Sequence, residues 1–95
     1  MRCTFTPKAE ADLAAIADWI AEDNPSRAIS FIREIRDRCD QVAEFPKAFP
    51  ERAELGPGIR MSVHRDYLIF YREEAARVVV VRVLHGSRDY RSLVE

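Results

Sequence analysis

The sequence has few of the residues from which metal sites, disulfide frameworks and phosphate-binding loops are built. Its 95 residues include two cysteines, two histidines and three glycines. Neither His64 nor His85 has a cysteine or acidic partner at the spacing of metal ligands, so we expect no metal and no cofactor. Cys3 and Cys39 form no C-x-x-C motif, and we expect both to be buried thiols in a reducing compartment.

Long hydrophobic runs are also missing. No apolar stretch approaches the roughly 20 residues that cross a bilayer, and Met1–Pro7 lacks the apolar core of a signal peptide. We therefore expect a cytoplasmic protein with no membrane partner. With 47% hydrophobic and 33% charged residues, the chain has the composition of a globular protein, and its length predicts a single domain over residues 1–95.

Arginine is the residue that the sequence has in excess. There are 13 arginines and two lysines. Residues 1–58 carry 8 basic and 11 acidic side chains, whereas residues 59–95 carry 7 basic and 5 acidic ones. A guanidinium group pairs bidentately with carboxylate and with phosphate. The basic C-terminal part therefore favours an acidic protein segment or a polyanion as partner, although some arginines could simply solvate exposed strand faces.

The first half of the chain predicts a strand followed by two helices. Residues 2–6 alternate between polar and apolar, as a half-buried strand does. Thr6-Pro7 and Asn24-Pro25 each place a capping residue before a proline, which is typical of a helix start. In the first helix an apolar stripe leaves Asp12 and other acidic residues largely on the remaining faces. The apolar face of the second helix contains Ala28, Phe31, Ile32, Ile35, Cys39 and Val42.

The last third of the chain predicts three strands, at Ile59–His64, Tyr67–Arg72 and Val78–Leu84. The third is apolar on both faces apart from Arg82, as a central strand is. The polar residues Glu73–Ala76 predict the turn before it. The order β-α-α-β-β-β predicts an α+β fold, in which the N-terminal strand and an antiparallel helical hairpin pack on a curved, antiparallel-rich sheet.

Two kinds of site are compatible with these residues. Metal-free RNA cleavage needs groups that transfer protons, such as His64, His85 or Tyr90. It also needs cations that hold phosphate, such as Arg60, Arg82 and Arg88. A protein-binding site is the other possibility. Trp19 lies about 110° from the centre of the apolar stripe, where it would be a partly exposed binding residue or a lid over the helical hairpin. The aromatic residues Tyr67, Phe70 and Tyr71 fit core packing better than base stacking.

The chain resembles the ParE branch of the RelE/ParE superfamily of type II toxins over nearly its whole length. The most specific segments are Tyr67–Arg72, with the sequence YLIFYR, and Arg82–Asp89, with the sequence RVLHGSRD. Weaker similarities are the Pro7 helix start, Asn24–Ala28, Phe45-Pro46 and Glu54–Arg60.

The resemblance implies a cytoplasmic toxin that inhibits DNA gyrase, blocks replication and arrests growth, with a role in plasmid stabilisation. It implies a ParD-like ribbon-helix-helix antitoxin that forms a hetero-oligomer with the toxin, and no direct sequence-specific binding of nucleic acid. RelE-type relatives instead cut mRNA on the ribosome. In that alternative the catalytic residues would be Arg60, Arg82, His85 and Tyr90. An inactive module that only binds antitoxin is the third possibility.

Arg60 and Arg82 match arginine positions shared across the superfamily, and the lysines of its ribonucleases are absent, which favours gyrase over RNA. The predicted antitoxin-binding residues are Arg60, Arg65, Arg72, Arg82 and Trp19. The predicted target-binding residues are His85, Arg88, Asp89, Tyr90 and Arg91. The sequence departs from the family in two places. The turn at residues 64–66 lacks the glycine often found there, and Tyr90-Arg91 replaces an apolar residue.

Overall fold

The computed structural model describes residues 1–94 and has the predicted α+β fold. Glu95, the last residue of the predicted domain, lies outside the described residues. Three short 3-10 turns occur at Pro46–Ala48, Ala53–Leu55 and Tyr90–Ser92. The regular elements are β1 (Arg2–Phe5), α1 (Pro7–Ala21), α2 (Pro25–Glu44), β2 (Arg60–His64), β3 (Tyr67–Glu74) and β4 (Arg77–His85).

Both helices begin at the predicted caps. The Thr6 hydroxyl accepts a hydrogen bond from the Ala9 N–H, and the Asn24 side chain accepts one from the Arg27 N–H. Each cap is followed by proline, whose missing N–H costs nothing in the first helical turn. Helix α2 ends at Glu44, directly before Phe45-Pro46. None of the helices in the described part of the chain is long and apolar enough to cross a membrane.

The sheet has the strand order β1-β4-β3-β2, which places β4 between two neighbours as its apolar sequence predicted. Strand β1 pairs with β4 in parallel, and the other two pairings are antiparallel. One sheet face packs against α1 and α2 through buried residues such as Ile35, Ile69 and Val80. The opposite face is covered by the connector between α2 and β2 and by the C-terminal tail, through Leu55 and Val94.

The turn between β3 and β4 is tighter than the sequence suggested. Glu73 and Glu74 belong to β3, and only Ala75 and Ala76 form the turn, with φ of 48° and 62°. Two successive residues with positive φ fit the right-handed twist of the flanking strands. Arg65 makes a similar turn between β2 and β3, with φ of 54° at a position where glycine would be less strained.

A β-bulge interrupts β4 beside Arg82. Phe70 pairs with Arg82 and Tyr71 pairs with Val80, so β4 has one extra residue, Val81, opposite β3. As a result Val80 and Val83 both face the helices although they lie three residues apart. Strand β1 pairs no further than Val80, so beyond this point β4 has no strand on that edge within residues 1–94.

The side chain of Asp12 in α1 takes the place of the missing strand. Its carboxylate accepts hydrogen bonds from the Val83 N–H at 2.9 Å and from Arg82 Nε and Nη2 at 2.7 and 2.8 Å. Arg82 Nη1 donates to the Leu93 carbonyl of the tail at 2.7 Å. The two side chains are only 10% and 13% exposed. Helical periodicity placed Asp12 largely outside the apolar stripe of α1, but it could not reveal this buried partner on a distant strand.

We predict that Asp12→Ala lowers the free energy of unfolding by about 2 kcal/mol, because it leaves the Arg82 charge and the Val83 N–H without their acceptor. Urea denaturation at neutral pH measures this. The matched control is Glu10→Ala, which removes an exposed ion pair with Arg36 on the same helix and should cost less than about 1 kcal/mol. Equal effects of the two variants would show that the Asp12 contacts contribute no more than a surface pair.

Candidate protein-binding surface

Trp19 lies on the outer side of α1 and is 69% exposed, in line with the partly exposed position that we expected. It borders a groove of about 480 Å³ between α1 and the end of β4, hereafter the Trp19 groove. An adjoining depression of about 290 Å³ shares Trp19, Tyr67 and His85 with it and extends to Arg65 and Phe31. A large exposed aromatic side chain beside a concave surface is typical of a protein-binding site.

Tyr67 and His85 lie next to each other in the Trp19 groove because they are paired across β3 and β4. Their rings meet edge to face with centroids 5.1 Å apart, and Phe31 packs against Tyr67 at 5.5 Å. Burial, with a smaller contribution from Asp66, raises the pKa of Tyr67 above its ordinary value. Its hydroxyl therefore stays protonated at neutral pH and can donate a hydrogen bond to a partner.

Ser87 selects the tautomer of the neutral His85 ring. The Ser87 N–H donates to His85 Nδ1 at 3.1 Å, and the Ser87 hydroxyl lies 2.7 Å from the same nitrogen. Because Nδ1 accepts a backbone hydrogen bond, the proton of the neutral ring lies on Nε2. The same contacts close the turn after β4.

Two arginines flank these aromatic residues. Arg65 lies in the β2–β3 turn with 64% of its side chain exposed, and its Nε is 3.7 Å from a carboxylate oxygen of Glu34. Arg88 lies in the exposed turn after β4, at the other side of the groove. The groove thus combines flat apolar side chains with guanidinium groups, which suits a protein segment that carries both apolar and acidic residues.

Glu34 in α2 is the centre of a charged cluster below the β2–β3 turn. Arg27 donates to its carboxylate at 2.5 Å, and His64 Nε2 lies 3.1 Å away. Hydrogen bonds from Arg27, and then from His64, lower the pKa of Glu34 to about 2, with a smaller contribution from the charge of Arg65. His64 is therefore hydrogen-bonded into a cluster that ties the turn to α2.

The other predicted arginines are occupied by partners within the chain. Arg60 donates to the Phe49 carbonyl at 2.7 Å and holds the connector before β2, as Arg82 holds α1 and the tail. Arg72 pairs with Glu74 at 2.5 Å near the end of β3, where its side chain is 36% exposed. Of the four arginines predicted to bind antitoxin, Arg65 and Arg72 are therefore the more accessible to a partner.

The tail residues lie on the sheet face opposite the helices. The Tyr90 ring packs on Phe70 with centroids 5.3 Å apart, and its hydroxyl accepts a hydrogen bond from Arg52 at 3.3 Å. Asp89 and Arg91, on either side of Tyr90, are exposed. The predicted target-binding residues are thus divided between two places, with His85 and Arg88 in the Trp19 groove and Tyr90 on the opposite face.

Residues 3–90 match the family model described as ParE toxin of type II toxin-antitoxin system, parDE. The chain belongs to this ParE toxin family. A curated relative, Toxin RelE2 of Caulobacter vibrioides, is 31% identical over 86 residues, which cover 88% of this chain and 93% of the relative.

A solved structure described as the chromosomal ParDE TA system from P. aeruginosa has the same fold. Its matching chain superposes with a TM-score of 0.75 at 23% identity, and the match covers 90% of this chain and 95% of that chain. The predicted resemblance to the ParE branch of the superfamily is thereby confirmed.

The four residues that would form a ribonuclease site in a toxin of this superfamily do not share one hydrogen-bonded cluster here. Arg60 is bound to the connector, Arg82 to Asp12 and the tail, His85 to Ser87, and Tyr90 to Arg52. Within residues 1–94 the structure also contains no group of three or more histidine, cysteine or acidic side chains that could hold a metal ion.

Sequence reasoning did not assign a site role to several residues of this ParE-family chain. Tyr67 was interpreted as a core residue; it does pack against the helix-side core, but it is half-buried and also lines the groove, whereas Phe70 and Tyr71 are fully buried. A signal for Tyr67 was available, because it is the first residue after a predicted turn. Arg52 and Glu34 gave no signal, since their partners Tyr90 and His64 lie 38 and 30 residues away.

We predict that Glu34 stabilises the fold only where it is ionised. Since its pKa is about 2 in the folded chain and about 4.5 as a free group, its contribution is present above pH about 4.5 and is lost as the pH falls towards 2. Glu34→Gln should therefore be less stable than the wild type at pH 7, and the difference should shrink below pH about 4.5. Urea titrations at several pH values measure this difference.

The exposed Glu44 of the same helix provides the control, because Glu44→Gln removes one carboxylate without touching the cluster around Glu34. A stability difference for Glu34→Gln that stays constant down to pH 2 would contradict the lowered pKa.

Proposed function

We propose that this ParE-family toxin binds and inhibits DNA gyrase in the cytoplasm, without catalysing a reaction itself, and that a ParD-like ribbon-helix-helix antitoxin neutralises it. The observation that carries the proposal is the engagement of Arg60 and Arg82 by other parts of the chain. A nuclease that works without metal needs cations free to stabilise the charge that develops on phosphate. In this chain those two guanidinium groups maintain the fold instead.

The Trp19 groove is the surface best suited to the antitoxin. An antitoxin segment that folds on binding gains affinity by placing apolar side chains in a groove and carboxylates against cations. Trp19 and Tyr67 provide the apolar contacts, and Arg65 and Arg88 provide the charges. His85 and Arg88, predicted to contact the target, lie in the same groove, so an antitoxin bound here would also cover them.

A ribosome-dependent ribonuclease is the second candidate. It is favoured by the name of the curated relative, Toxin RelE2, and by Tyr90, whose hydroxyl bonds to Arg52 on the outer sheet face. An inactive module that only binds antitoxin is the third candidate. The three differ in what the free toxin does to a cell, and a direct experiment distinguishes them.

We predict that a pulse of expression without antitoxin stops DNA synthesis first, produces filamentous cells and leaves transcripts intact. Incorporation of labelled thymidine and mapping of mRNA ends, sampled in parallel from the same culture, measure the two effects. Early cleavage of transcripts, with protein synthesis stopping before DNA synthesis, would identify a ribonuclease. Unimpaired growth at a verified level of folded toxin would identify the inactive module.

A variant separates the first two candidates further. Tyr90→Phe keeps the ring on Phe70 but removes the hydroxyl, so it should abolish RNA cleavage by a ribonuclease and should leave plain gyrase binding measurable. Pull-down of purified gyrase by the wild type and by the variant measures the retained binding.

We also predict that the double variant Arg65→Glu/Arg88→Glu weakens binding of the antitoxin encoded beside the toxin by more than tenfold, which corresponds to about 1.4 kcal/mol. The reason is that both side chains are exposed cations beside the groove that would face antitoxin carboxylates. Titration calorimetry measures the affinity. Arg33→Glu, an exposed charge reversal on α2 away from the groove, is the control, and an unchanged affinity of the double variant would refute the assignment.

A further inference from the structure

Beside the β3–β4 turn, the outer sheet face, which is the face opposite the helices, carries three arginines. The strand register pairs Arg2 with Arg77 across β1 and β4, and Arg77 with Glu74 across β4 and β3. Arg72 lies two residues before Glu74 in β3, so the two side chains share one face. That face is the outer one, because Val79, two residues after Arg77, belongs to the core cluster on that side. The three arginine side chains are hereafter called the arginine row.

The arginine row carries more positive charge than its surroundings neutralise. Arg72 Nε donates to Glu74 Oε2 at 2.5 Å, and Arg77 Nη2 lies 3.8 Å from the other oxygen of the same carboxylate. Arg2 is exposed, and none of the ion pairs within residues 1–94 includes it. The hydrogen bond and the charge of Arg72, with a smaller contribution from Arg77, lower the pKa of Glu74. Three guanidinium groups therefore share one carboxylate.

The pairing of Arg2 with Arg77 places two like charges side by side. Neighbouring strands lie about 4.8 Å apart, and like charges directly opposite each other on paired strands destabilise a sheet. Arg72 lies diagonally across from Arg77, at a spacing of about 7 to 8 Å. Since the side chains of Arg72 and Arg77 are 36% and 46% exposed, a partner can reach them. The row is therefore suited to a partner that supplies carboxylates, which would relieve the repulsion.

An apolar depression of about 300 Å³ adjoins the row at Arg72. Leu55, Pro57 and Ile59 line it together with Arg72. A depression of this kind can hold an apolar side chain of a bound protein segment, while the guanidinium groups bind neighbouring carboxylates. Single-stranded nucleic acid is bound largely by stacking on aromatic side chains, and none lines this depression. The combination favours an acidic protein segment over a nucleic acid.

We propose that the arginine row and this depression form a second protein-docking surface, which binds an extended acidic segment through its carboxylates and one apolar side chain. The surface is separate from the Trp19 groove. Arg77 is the first residue of β4 and His85, which lines the groove, is the last, and the row lies on the sheet face opposite the helices. The proposal therefore goes beyond the proposed function and does not depend on which partner the groove binds.

The experiment titrates the folded, nitrogen-15-labelled protein with a short synthetic peptide in which glutamate and aspartate residues surround one leucine. We expect saturable NMR shifts of the backbone amides of Leu55, Arg72 and Arg77, and none at Trp19. Binding should weaken as the NaCl concentration rises, because salt screens exposed charges. A control peptide with serine in place of leucine should bind roughly tenfold more weakly, because it has no apolar side chain to bury in the depression.

Variants of the row test the role of its charges. Arg2→Gln/Arg77→Gln should weaken peptide binding by roughly fivefold without lowering the urea midpoint of unfolding, because it removes two like charges that repel each other. Glu74→Gln should strengthen peptide binding, because it removes the carboxylate that competes for the row. The matched control is Lys8→Gln/Arg33→Gln, which removes two exposed positive charges from the helices and should leave peptide binding unchanged.

Four outcomes would each overturn the proposal. They are the absence of saturable shifts in the wild type, shifts confined to the Trp19 groove, and a lower urea midpoint for the double variant of the row, which would show that these arginines stabilise the fold. The fourth is a DNA duplex that produces the same shifts at a lower concentration than the peptide, which would identify a nucleic-acid surface instead.

Discussion

The ion pair between Asp12 and Arg82 is the interaction on which the arrangement of this molecule depends. It joins three parts of the chain that no strand pairing connects: helix α1, the bulged part of β4 and the C-terminal tail. Strand β1 is too short to cover the whole edge of β4, and a carboxylate from the helix replaces the missing backbone acceptor. Since buried charges are tolerated only with hydrogen-bonded partners, the pair, the bulge and the tail contact depend on one another.

This arrangement also decides which basic residues are available to a partner. Arg60 and Arg82 face acceptors within the chain, and the tail that Arg82 holds covers the outer sheet face with Tyr90 and Val94. The Trp19 groove on the opposite side remains open, with exposed cations at its rim. This ParE-family chain therefore presents an aromatic and cationic surface on the helix side. Arg82, the arginine within the apolar strand β4, stabilises the fold instead.

Local signals in the sequence were sufficient to predict the helices and strands, but they were insufficient to predict the contacts of the binding surface. The caps at Thr6 and Asn24 and the apolar run of β4 depend on neighbouring residues, so the helix starts and the central strand were predictable. The contacts of Asp12 with Arg82 and of Arg52 with Tyr90 join residues 70 and 38 positions apart, and the first also lies beside a bulge that no local pattern encodes. For the same reason, only some of the residues predicted for antitoxin and for target lie around the groove, because strand register rather than sequence order brings Tyr67 and His85 together beside Trp19.

The parallel pairing of β1 with β4 has a consequence for how the protein is made. Thr6 hydrogen-bonds to Val81, 75 residues further along the chain, so the first strand has no partner until the last strand has left the ribosome. A nascent chain can form its helical hairpin early, since α1 and α2 contact each other locally, but β1 can join the sheet only after β4 has been synthesised. The long separation between the two strands therefore makes the closing of the sheet a late step in folding.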